Sequence, residues 1–106
     1  MKKIAYHKLI RDKIPTIIEQ QGNSCVTEVL SEKMYLQMLD EKLSEELAEY
    51  RESNSLEELA DLLEVMQAVV TARGYTWEEL ESVRLEKHQK RGGFEKRLLL
   101  KEVTEK

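Results

Sequence analysis

The chain has 106 residues, 41% hydrophobic and 36% charged, with a formal net charge of −4. That length allows one domain spanning residues 1–106, with a core thin enough for a second copy to complete. The acidic balance argues against a DNA-binding surface, and no stretch approaches the roughly 20 apolar residues of a membrane span.

Residues 4–10 read as a short extended lead. The run Met1-Lys2-Lys3-Ile4-Ala5-Tyr6-His7 lacks the apolar stretch of a signal peptide, so a cytoplasmic protein is expected. Asp12 can cap a short helix over about 13–21, because Pro15 is tolerated in a first turn, and Gly22 ends it. Cys25 to Leu30 has strand-like composition but stands alone and reads as an extended connector. The single cysteine excludes an internal disulfide, and with His7 and His88 far apart no zinc-ligand spacing exists.

Ser31 opens a long helix to about Ser53, with Leu36, Leu39, Leu43, Leu47 and Tyr50 recurring at steps of three and four. Ser55-Leu56-Glu57-Glu58 fits a capping box and starts a helix to Arg73, with Gly74 as its stop. Thr76-Trp77-Glu78-Glu79 is a second box, opening a helix to about Arg91 that Gly92-Gly93 breaks. The remainder, Phe94 to Lys106, reads as a packed arm with a frayed end. The expected fold class is all-α: a helical bundle built on an antiparallel helix hairpin and completed by oligomerisation.

Two acidic pairs carry the chemistry. Glu46 and Glu49 lie i, i+3 on the long helix, and Glu58 and Asp61 lie i, i+3 on the next. With Leu43 as the centre of the apolar stripe, Glu46 falls about 60° to one side and Glu49 about 120° on that side, while Glu45 turns outward at about 160°. Glu58 sits at the edge of the broad face Leu59, Leu62, Leu63, Met66, Val69 and Val70. Asp61 lies beyond it, beside the smaller strip of Val65 and Ala68. The linker Asn54-Ser55 is short enough to make the helices an antiparallel pair, which turns the four carboxylates toward one another. Four like charges held together call for a counterion, and a hard divalent ion such as Mg²⁺, which often carries substrate phosphates, suits them. The competing reading is a solvated acidic rim, since 21 acidic residues produce such spacings by chance and Glu58 is also explained by its capping box.

Arg84, Lys87 and Arg91 form a basic stripe on the last helix, and Lys8, Arg11 and Lys13 a second cluster near the N-terminus. Both are candidates for phosphate contact, although basic residues near a helix C-terminus are also favoured by its dipole. Trp77, Tyr35 and Tyr50 read as packing residues, His88 as surface, and Met34, Met38 and Met66 as an adaptable core or dimer seam.

The pattern Glu45-Glu46-x-x-Glu49 followed by Glu58-x-x-Asp61 resembles the signature of the all-α nucleoside-triphosphate pyrophosphohydrolases, which include MazG-like proteins, dimeric dUTPases and phosphoribosyl-ATP pyrophosphohydrolase. Two flanking segments, Tyr6-His7-Lys8-Leu9-Ile10-Arg11-Asp12-Lys13-Ile14-Pro15 and Lys90-Arg91-Gly92-Gly93-Phe94-Glu95, resemble a small MazG-like or phosphoribosyl-ATP-pyrophosphohydrolase-like subgroup. The resemblance covers about residues 6–103. It implies that Glu46, Glu49, Glu58 and Asp61 bind Mg²⁺, with Mn²⁺ as a substitute. It further implies a homodimer or homotetramer that cleaves a nucleoside triphosphate between its α- and β-phosphates, giving a monophosphate and pyrophosphate. Glu46 or Glu49 is the expected acceptor of the water's proton. Alternatives are a non-catalytic oligomeric interaction module and the histidine-pathway enzyme phosphoribosyl-ATP pyrophosphohydrolase itself.

Overall fold

The computed structural model describes residues 2–106 and, among them, contains four helices and no strand. They are α1 (Ile14–Gln20), α2 (Glu32–Ser53), α3 (Leu56–Ala72) and α4 (Trp77–Arg91). No helix is long and apolar enough to cross a membrane.

Local chemistry sets most helix ends. The Ser31 side chain accepts from the Met34 backbone at 3.2 Å and starts α2. Asn54 closes α2 in the left-handed region at φ 53°, a conformation that asparagine tolerates better than most residues. Thr76 begins α4 with a complete capping box: Glu79 N donates to Thr76 Oγ1 at 3.1 Å, and Thr76 N donates to Glu79 Oε1 at 3.2 Å. Gly74 and Gly92, at φ 87° and 81°, follow α3 and α4. The start of α1 differs from expectation. Lys13 rather than Asp12 holds the N-cap position, with no side-chain cap bond, and Pro15 in the first turn removes one donor that would need a partner.

Packing is concentrated in the middle of the chain. Helix α3 packs against α2 on one side and α4 on another, whereas α1 packs against no other helix. The ion pair Arg73–Asp40, at 2.9 Å, ties the end of α3 to the first half of α2. Among the described residues, Leu39 and Glu46 are the buried ones, at 2% and 7% exposure. They lie i, i+7 on α2, so the covered stripe runs through Glu46, and Leu47 is left exposed. On α3 the better-covered side carries Glu58, Asp61, Leu62, Val65, Ala68 and Val69. Leu59, Leu63 and Met66, part of the broad apolar face, stay exposed.

The tail departs from expectation as well. Phe94 is 96% exposed, and Leu98, Leu99, Leu100 and Val103 are also uncovered, so the segment does not pack on its own chain. The connector behaves likewise, with Val26 and Val29 fully exposed. The molecule is elongated, 70 × 31 × 23 Å, with a radius of gyration of 19.1 Å. A compact chain of this length would have a radius near 13 Å.

Candidate metal centre

The last three turns of α2 carry Glu45, Glu46 and Glu49, and the first two turns of α3 carry Glu58 and Asp61. Only Asn54 and Ser55 separate the helices, so these turns meet. One carboxylate oxygen from each of Glu46, Glu58 and Asp61 lies within 4.8 Å of the other two. Glu45, Glu46 and Glu49 form a second such triad, so Glu46 belongs to both.

Glu58 is placed by a capping box that is only half made. The Ser55 hydroxyl accepts from the Glu58 backbone at 3.3 Å, which starts α3. The Ser55 backbone N–H instead donates to Ser53 Oγ at 3.2 Å, so the Glu58 carboxylate does not return to it. Its Oε2 is buried without a hydrogen-bond partner, as is Oε2 of Glu46. Solvent-excluded acceptors normally find donors. Two orphaned oxygens in one acidic cluster leave acceptor positions that a cation would satisfy.

Electrostatics point the same way. Burial pushes the Glu46 carboxyl above its ordinary value, the neighbouring Glu49 carboxylate pushes it further, and Lys42 opposes them. Lys42 Nζ lies 3.4 Å from Glu45 Oε1 and 3.5 Å from Glu46 Oε1. Arg11 Nη2 lies 2.7 Å from Asp61 Oδ1. The carboxylates of Glu45, Glu46, Glu49, Glu58 and Asp61 thus share Lys42 and Arg11, and negative charge is left over.

The four carboxylates expected from the sequence come together as two overlapping triads joined at Glu46. Glu45, expected to face outward, joins one of them and pairs with Lys42, because Lys42 sits one turn before Glu46 and draws both carboxylates. Lys42 is the site residue that the pattern did not single out; its i, i+4 spacing to Glu46 was the available signal. Of the basic candidates, Arg11 reaches the cluster. Lys8 lies over the Tyr6 ring, 5.5 Å from its centroid. Among the described residues no ion pair joins Lys8, Lys13, Lys87 or Arg91 to the carboxylates. Lys87 and Arg91 instead line a shallow groove at the end of α4 with Val83, Glu86 and Lys90. Arg84 is engaged by Glu81 one turn earlier.

The residues fit a hard divalent ion. Every donor is a carboxylate oxygen, the set suited to Mg²⁺ or Mn²⁺ rather than to thiolate- and imidazole-seeking metals.

A protein of Mycolicibacterium smegmatis (strain ATCC 700084 / mc(2)155), described as uncharacterized, is 42% identical over 48 residues, covering 45% of this chain and 49% of its own length. The matched part therefore spans about half of that relative. No family model matches the chain, and no solved structure matches it significantly.

Proposed function

We propose that the chain is a Mg²⁺-dependent nucleoside-triphosphate pyrophosphohydrolase of the MazG-like kind, acting in the cytoplasm as a homo-oligomer built on an antiparallel α2–α3 hairpin. The carrying observation is the pair of buried, unpartnered oxygens, Glu46 Oε2 and Glu58 Oε2, inside the acidic cluster. Glu46, Glu49, Glu58 and Asp61 would hold the ion. When bound, it supplies charge neutralisation for the triphosphate and lowers the pKa of water.

The chain's own residues take the remaining roles. Glu49 stands at the exposed edge of the cluster, where its carboxylate can accept the proton of an attacking water. The water oxygen bonds to phosphorus, the α–β bridging P–O bond breaks, and the products are a nucleoside monophosphate and pyrophosphate. Arg11 at the rim, with Lys8 and Lys13 beside it in sequence, supplies cations for the phosphates; Lys87 and Arg91 form a second candidate set.

Surface area supports the assembly. The chain exposes 10295 Å², against about 6,200 Å² for a compact monomer of its size. The excess is larger than the roughly 1,000–2,500 Å² that each chain of an obligate homodimer buries, so surface is available for an interface. The same exposed surface also suits the second reading, a non-catalytic interaction module whose acidic rim meets a basic partner.

A nucleotide panel incubated with Mg²⁺ tests the enzyme. Monophosphate and pyrophosphate are expected, with turnover falling about a hundredfold or more in Glu49→Gln and Asp61→Asn. Orthophosphate as the sole product, or turnover indifferent to both substitutions, defeats it. A charge-dependent protein complex with no metal effect favours the module.

A further inference from the structure

We propose that Arg11 is a built-in counterion which holds Asp61 while the centre lacks its divalent ion, and which the ion displaces, releasing the guanidinium to take a substrate phosphate. The inference rests on the metal reading above but concerns a residue that binds no metal.

The geometry carries it. Arg11 Nη2 donates to Asp61 Oδ1 at 2.7 Å, the length of a charge-assisted bond. Asp61 also contributes an oxygen to the triad with Glu46 and Glu58, so one carboxylate is claimed from two sides. The pair is accessible, with side chains 58% and 42% exposed. An ion entering from solvent can therefore exchange with the guanidinium without opening a core. Exposed pairs of this kind are weak, which makes exchange easy.

The exchange would also be felt along the chain. Helix α1 has seven residues, too few to be stable alone, and packs on no other helix. The Ile14 backbone donates to the Arg11 carbonyl at 3.1 Å, so the residue that grips Asp61 also closes the turn leading into α1. Among the described residues, the ion pairs that join parts of the chain far apart in sequence are Arg11–Asp61 and Arg73–Asp40. Arg11 is thus the polar tether of the N-terminal segment, and its release loosens α1 until a phosphate recaptures it.

The test uses the full chain, with Mn²⁺ alone and then Mn²⁺ with inorganic pyrophosphate, followed by calorimetry and by amide hydrogen exchange across Ile14–Gln20. Removing a competing exposed ion pair should tighten Mn²⁺ binding about two- to fivefold in Arg11→Gln. In the wild-type chain Mn²⁺ should speed exchange in α1, and pyrophosphate should slow it again; in Arg11→Gln exchange should be fast throughout. Metal-free Asp61→Asn should match the Mn²⁺-loaded wild type, since it frees the same tether without an ion. Saturable Mn²⁺ binding of equal strength in the wild type and Arg11→Gln, with α1 exchange unmoved, overturns the switch and leaves the metal centre standing. Absence of saturable Mn²⁺ binding in the wild type removes both.

Discussion

The α2–α3 pair and the segments flanking it are both rich in apolar side chains, yet they bury them very differently. Within the pair, Leu39 is closed off and Glu46 with it. In the connector and the tail, Val26, Val29, Phe94, Leu98, Leu99 and Leu100 have no cover. The difference is one of partner availability. A helix joined to its neighbour by two residues finds a packing surface within its own chain. An extended segment with no adjacent sheet or groove finds none. The contrast teaches that the acidic site is assembled by intrachain packing, while the apolar side chains of the connector and the tail are left without cover by their own chain.

Breaking the proposed assembly should have the largest effect. Leu63→Glu places a charge on the exposed apolar strip of α3, where a buried leucine contributes about 1.5–3 kcal/mol per copy. Light scattering should show a drop in mass, and the acidic cluster should survive, since Leu63 is not part of it. A parent chain that scatters as a monomer, or a mass unchanged by the substitution, would count against an assembly through this strip.

A smaller effect should follow from neutralising the buried carboxylate. Glu46 is raised above its ordinary value, so the folded metal-free chain holds a proton more tightly than the unfolded chain does. Its contribution to stability is therefore largest below the ordinary glutamate range and is lost as pH rises through the raised value. Glu46→Gln should remove that slope and stabilise the metal-free chain at pH 7 by about 1 kcal/mol, measured by urea denaturation. The same variant should lose the stabilisation that Mn²⁺ gives the wild type. A destabilised metal-free variant would show that Lys42 outweighs burial at this carboxylate.

Thr76→Ala probes a purely local feature. Losing the α4 cap should cost about 1 kcal/mol, and by the same amount in Leu63→Glu as in the parent chain, because the box is made within one turn. A cost that changed with the state of assembly would place α4 in the interface.

Sequence alone was enough for most of what depends on neighbours along the chain, the start of α1 and the second half of the Ser55 capping box apart. Ser31, Ser55 and Thr76 sit at the helix starts, Gly74 and Gly92 follow helix ends, and the i, i+3 acidic pairs face as their spacing dictates. These are short-range hydrogen bonds and steric rules, satisfied within a few residues. Packing decided the rest: that Glu46 lies on the covered stripe while Leu47 does not, and that Arg11 reaches Asp61 across fifty residues. An apolar pattern broad enough to pack in two directions does not say which side is covered. That choice belongs to the surface placed opposite, which only the folded chain brings into contact.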